Sequence, residues 1–200
     1  MHNKLHMGCF NRVLSGWHNT DITPHIWIAR IPFAPYICRR IGVITEERFR
    51  EHRKGSFREV HYLDITRRFP YPDNVFEAAF CSHVLEHIPR QAVSHFFREV
   101  FRVLRQGAIF RVVVPSLEMA ISAYSAENPD PCLDMIFENN HSSAKNIHKW
   151  MYTKQSLSKV FRAAGFTAVT PCSYRVGRMP DVEAADNRPE NSIYVEGEKP

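Results

Sequence analysis

Four kinds of residue in this 200-residue chain could do chemistry: histidines near carboxylates, acids after strand-like runs, a glycine turn, and an H-x-x-E-H motif. His83, His141 and His148 are candidate bases, because imidazole titrates near neutrality and can take a proton from a hydroxyl nucleophile. His83 follows an apolar run, whereas His141 and His148 flank a polar stretch that would lie over a site. Asp21 falls at the end of a short strand-like segment, where a carboxylate can accept hydrogen bonds from ribose hydroxyls, and Asp64 falls near the end of another. Gly8 follows the first such segment and lets backbone approach a ligand closely. His83-Val84-Leu85-Glu86-His87 matches the pattern in which two histidines one helical turn apart hold zinc in a metalloprotease. Its context argues against a protease. The motif follows a strand directly and Pro89 comes soon after His87, so little helix surrounds it. No metal ligand is assigned.

These residues need elements to hold them. Residues 3–8, 17–22 and 58–65 read as short strands, ending at Gly8, Asp21 and Asp64-Ile65. Residues 75–82 and 108–114 are apolar runs of strand length without alternation, as expected for strands covered on both faces. Between them, Val93, Phe96, Phe97, Val100, Phe101 and Leu104 recur at helical spacing over 90–105, and Gly107 supplies a stop. Helices are expected near 43–54, over 116–127 and over 153–164, with loop or short helices over 128–148. Pro24, Pro32 and Pro35 break any helix that would start the 24–56 segment. The last two strands fall at 166–176 and 192–197, separated by a surface loop at 177–191. Strands alternating with helices predict an α/β fold with a mostly parallel sheet. Ligands of such sheets bind beyond the carboxyl ends of the strands, where Gly8, Cys9, Asp21, Asp64, Ser82 and His83 fall.

Composition narrows the class further. A chain of this length suits one domain with a sizeable core. No apolar run is long enough to span a bilayer, and the N-terminus lacks the apolar core of a signal peptide, so a cytoplasmic protein is expected. The five cysteines contain no CxxC pair and suggest reduced thiols. The net charge of +5 comes largely from Arg39 to Arg58, but Glu46, Glu47, Glu51 and Glu59 interleave with these bases. A solvated helix face explains this pattern better than a nucleic-acid surface.

Taken in order, several segments carry a resemblance. They are Gly8-Cys9, Gly16-Trp17-His18-Asn19-Thr20-Asp21, Asp64, Ser82 to His87, Arg102-Val103-Leu104 and Val113-Val114-Pro115. His148-Lys149-Trp150-Met151-Tyr152, Ala164-Gly165-Phe166 and Ser192 to Glu196 follow. The chain resembles class I S-adenosylmethionine-dependent methyltransferases, and within them the short bacterial branch associated with cell-surface polysaccharide genes. The resemblance implies a single Rossmann-like methyltransferase domain over 1–200, with helices on both sheet faces and an antiparallel last strand. Segments 24–56 and 116–150 would be insertions or a lid over the site. It implies S-adenosylmethionine as cofactor, with Gly8 and Cys9 cradling its methionine part. Asp21 would bind the ribose, Asp64 and Ile65 would face the adenine, and Ser82 and His83 would lie beside the transferred methyl. The acceptor would be a small molecule or glycan, methylated at oxygen, and a second copy of the chain is a candidate partner. Trp150 and Tyr152 could stack on the acceptor, although packing at the sheet edge explains them as well.

The chain also departs from the pattern. Phe10 stands in place of a glycine, which predicts weakened cofactor binding. Gln106-Gly107-Ala108 replaces a double glycine, Ser116 stands where an acid is usual, Glu77 replaces an aspartate, and the N-terminal helix of larger relatives is expected to be lacking. A non-catalytic methyltransferase-like protein is therefore the competing expectation.

Overall fold

The computed structural model describes residues 2–137, 147–189 and 191–200. Seven strands form one sheet in the order β3-β2-β1-β4-β5-β7-β6. They are β1 (Lys4–Met7), β2 (His18–Asp21), β3 (His61–Tyr62), β4 (Phe76–Ser82), β5 (Leu104–Pro115), β6 (Thr167–Cys172) and β7 (Ser192–Glu198). Pairings from β3 through β5 are parallel, and β7 runs antiparallel to both β5 and β6. The chain builds outward from β1 toward β3 and then from β4 toward β5. The order therefore reverses between β1 and β4, the switch point at which open α/β sheets bind ligands.

The apolar runs at 75–82 and 108–114 become β4 and β5, buried at nearly every position because side chains cover both sheet faces. On one face, α4 (Arg90–Val103) and α7 (Lys154–Ala163) lay Val93, Phe96, Phe97, Val100, Leu157 and Phe161 against Leu5, Met7, Phe110, Val112 and Val114. Phe97 meets Phe161 edge-on at 4.9 Å and Phe110 at 5.4 Å. Truncating such a ring to alanine costs about 3–5 kcal/mol. On the other face, Leu14, Trp17, Met179 and Ala185 cover Ala78, Phe80, Ile109, Val113 and Tyr194. This cover comes from loops and the short α8 (Val182–Ala185).

A buried charge network pins that cover down. Arg111 in β5 is fully buried and donates Nε to Asp186 Oδ1 at 2.9 Å and Nη1 to Glu196 Oε1 at 2.8 Å. Nη2 bonds Asp186 Oδ2 and also Ser173 O at 2.9 Å. Burial opposes the guanidinium charge, but Asp186 and Glu196 outweigh it and hold the Arg111 pKa above its ordinary value. Gly177 completes the fit, because a Cβ there would come within 2.2 Å of Glu196 Oε1.

Several local expectations change. The proline-bearing 24–56 segment forms three helices, α1 (His25–Arg30), α2 (Ala34–Arg40) and α3 (Glu46–Lys54). Pro24 precedes α1 and Pro35 lies in the first turn of α2, where a missing N–H breaks no helical bond. The third strand shrinks to His61–Tyr62. Gly107 does not stop α4: the helix ends at Val103, the chain turns directly into β5, and Gly107 takes a left-handed φ of 77° within that strand. The helix expected over 116–127 is shortened to α5 (Leu117–Ser122), and α6 (Asp130–Phe137) follows it. Among the described residues, no helix is long and apolar enough to cross a membrane.

Candidate functional site

The turn after β1 carries Gly8, Cys9 and Phe10. Gly8 has φ 70°, and a Cβ there would lie 2.1 Å from Val84 Cγ2, so only glycine lets the β1 and β4 turns touch. The N–H groups of Gly8 and Cys9 both donate to Thr20 O, at 2.8 and 3.0 Å. Phe10 also takes a left-handed backbone, φ 47°, which a phenylalanine adopts only at a cost that glycine avoids. Its ring meets Phe57 at 5.6 Å and His25 at 6.0 Å, and the Arg48 guanidinium lies over it at 4.6 Å. Asp21 closes β2 beside this turn. Its Oδ2 accepts from Phe10 N at 2.8 Å and its Oδ1 from Thr23 N at 2.7 Å. Burial raises the Asp21 pKa, partly offset by these two N–H donors. Each oxygen keeps a second lone-pair direction.

Asp64 follows β3. Its Oδ1 accepts from Thr66 N and Oγ1, and its Oδ2 pairs with Arg67 Nε at 3.1 Å. The side chain of Ile65 is buried in the main core. Ser82 ends β4, and His83 follows in a left-handed conformation, φ 53°, with its N–H on Val113 O. His83 Nε2 lies 2.9 Å from Ser192 Oγ, and Nδ1 lies 3.5 Å from Glu86 Oε1. Burial, with smaller effects from Arg188, His148 and His87, pushes its pKa down to about 3. His83 is therefore neutral at physiological pH and a weaker base than its sequence position suggested. Gly8, Cys9, Asp21, Asp64, Ser82 and His83 all lie at or just beyond the carboxyl ends of β1 to β4.

Next to His83 is a cavity of about 510 Å³ that His87, Asp134, His148 and Arg188 also line. The structure thus brings His83 and His148 to one space, while His141 lies outside the described residues. The H-x-x-E-H segment is not a helix presenting two histidines on one face. Leu85–His87 is a single 3-10 turn, and His83 precedes it in left-handed backbone. Trp150 lies under Arg90 at 4.0 Å and is 40% exposed, whereas Tyr152 is buried in the core, so packing accounts for Tyr152. Sequence reasoning missed Asp134 and Arg188. The 177–191 segment looked like an ordinary surface loop, and nothing local links it to the strand ends.

Residues 34–112 match the family model described as a methyltransferase domain. The match runs from α2 to within β5 and includes Asp64, Ser82, His83, Glu86 and His87, but not Gly8 or Asp21. Among curated proteins, none matches. Solved structures with a similar fold include a SAM-dependent methyltransferase from Thermotoga maritima, at 12% identity and TM-score 0.55 over 99% of this chain and 82% of that one. The S-adenosylmethionine-dependent methyltransferase SibL in its apo form is similar at 17% identity and TM-score 0.51, over 100% of this chain and 50% of that one. PigF with SAH is similar at 12% identity and TM-score 0.50, over 98% of this chain and 50% of that one. This chain therefore spans about half the length of the latter two. The chain has the fold of the S-adenosylmethionine-dependent methyltransferases, and its residues 34–112 match a methyltransferase domain.

Proposed function

We propose that the chain is an S-adenosylmethionine-dependent methyltransferase acting on a hydroxyl of a small molecule or glycan. One observation carries this reading: Gly8, Asp21, Asp64 and Ser82-His83 gather at the carboxyl ends of adjacent parallel strands, at the switch point of the sheet, beside a histidine-lined cavity. The residues fit the cofactor in kind. Gly8 and Phe10 hold the turn in the left-handed backbone of a glycine loop, and the Phe10 ring is engaged by Phe57, His25 and Arg48. Gly8 and Cys9 would meet the methionine part, Asp21 the ribose through its remaining lone pairs, and Asp64 with Ile65 the adenine. When bound, the cofactor supplies an electrophilic methyl group on a sulfonium.

The residues of the chain orient the acceptor and manage its proton. We assign proton uptake to His83 Nε2, which already meets the Ser192 hydroxyl, with Glu86 behind Nδ1. A weakly basic His83 means that positioning supplies most of the rate gain. The 24–56 segment and the described part of 116–150 would act as a lid; residues 138–146 lie outside the described residues. Phe10 supports this for the first of them, because its ring touches His25 and Arg48 from that segment. The five free cysteines fit a cytoplasmic setting.

A non-catalytic role has an observation of its own: Phe10 and Thr23 N–H groups already occupy Asp21, and Thr20 O occupies those of Gly8 and Cys9. Isothermal titration of S-adenosylmethionine and S-adenosylhomocysteine separates the two. The enzyme reading expects binding that Asp21→Ala weakens by roughly 10–100-fold, the worth of charge-assisted bonds of about 1.5–3 kcal/mol. Absence of binding at millimolar ligand would refute the enzyme reading and favour the non-catalytic one.

A further inference from the structure

Glu86, His87 and His148 each bring a potential ligand atom within 4.8 Å of the others. Their convergence is built by the backbone. Lys149 N and Trp150 N donate to Glu86 O at 2.7 and 3.3 Å, tying the segment that carries His148 to the turn that carries Glu86 and His87. The two rings stand 5.1 Å apart at 53°. His148 Nδ1 lies 3.2 Å from Met135 O, and His87 Nδ1 lies 3.5 Å from Ile147 O. A carbonyl behind Nδ1 makes that nitrogen the N–H and leaves Nε2 as the lone-pair nitrogen, as in metal-bound histidines. His87 Nε2 is 3.9 Å from Glu86 Oε1, and the Glu86 side chain is fully buried. His83 Nδ1, 3.5 Å from the same carboxylate oxygen, would orient that carboxylate from behind.

We propose that Glu86, His87 and His148 bind one divalent transition-metal ion of the zinc class at the wall of the histidine-lined cavity. Two imidazoles and one carboxylate are a donor set such ions take, and among the described residues these three supply it. Both histidines line the cavity, so the ion would sit at its wall, within reach of a guest there. The grouping differs from the H-x-x-E-H pattern, because Glu86 and His148 join His87 as ligands and His83 stands behind. The ion would orient and polarise an acceptor oxygen as a Lewis acid. That role rests on the methyltransferase reading, whereas binding of the ion does not.

The test uses the full chain stripped of metal by a chelator. Cobalt(II) should bind at one equivalent with visible absorption bands, and zinc should displace it. Zinc should raise the thermal midpoint of the wild type. Glu86→Gln and His148→Ala should weaken cobalt binding beyond the roughly 10–100-fold typical of losing an outer-shell partner. His61→Ala, on the exposed β3, should leave it unchanged. If Glu86→Gln fails to fold, His148→Ala on its partly exposed segment carries the comparison. S-adenosylhomocysteine is titrated in parallel. Ion binding without cofactor binding supports the metal site while refuting the methyltransferase reading. Cofactor binding without saturable ion binding at millimolar cobalt, or unchanged affinity in His148→Ala, overturns the metal site.

Discussion

Replacing Arg111 with methionine tests whether the buried charge network holds the second sheet face in place. Arg111, Asp186 and Glu196 are each at most 1% exposed. Methionine removes the guanidinium and leaves two carboxylates out of water. Asp186 would keep one backbone donor, Arg175 N at 2.7 Å, and Glu196 would keep Arg178 N and Met179 N. Breaking a buried pair by removing one partner costs about 3–5 kcal/mol, because the remaining charge stays uncompensated. Set against a total stability of about 5–15 kcal/mol for a domain, the loss is large. Urea unfolding followed by circular dichroism measures it as a drop in midpoint at constant slope. Arg178→Ala is the control. Its pair with Glu198 has side chains 45% and 35% exposed, and an exposed pair is worth about 0–1 kcal/mol. Equal losses in the two variants would refute the argument that burial sets the value of the network.

Two further outcomes follow from the same geometry. Burial depresses the His6 pKa from 6.5 to about 4, so the unfolded chain protonates first and stability falls as pH drops from 6.5 toward 4. By pH 5 this group alone costs about 2 kcal/mol, and His6→Gln should flatten the stability–pH curve by that amount; parallel curves would contradict it. Phe10→Gly removes the side chain that stands in place of a glycine beside the proposed cofactor turn and should tighten S-adenosylhomocysteine binding about tenfold, read by isothermal titration; unchanged affinity would remove Phe10 as an obstacle.

The parts of the fold that could be read from sequence are those whose local pattern matches their burial. β4 and β5 are apolar runs, and α4 and α7 carry apolar stripes because one face of each meets the sheet. The helices α1 and α2 gave no such signal, since Ile31, Phe33, Tyr36, Ile37 and Ile41 around them are exposed and fit no buried stripe. Gly107 misled for a local reason: a glycine after a helix resembles a cap until the strand through it is seen. At the site, strand-end residues such as Gly8, Asp21 and His83 were legible because position after a strand is a local property. Arg111 pairs with residues 75 and 85 positions away, and His148 reaches Glu86 across a long connection. Sequence spacing carries no trace of either grouping. The depressed pKa of His83 comes from burial, which no motif records.

Amide chemical-shift mapping during titration with S-adenosylhomocysteine tests the proposed cofactor site most directly. The account predicts saturable shifts concentrated at Gly8, Cys9, Phe10, Ile22, Ile65, Thr66, Ser82 and His83, with little change on α7. Shifts absent at millimolar ligand, or centred away from the carboxyl ends of β1 to β4, would contradict it.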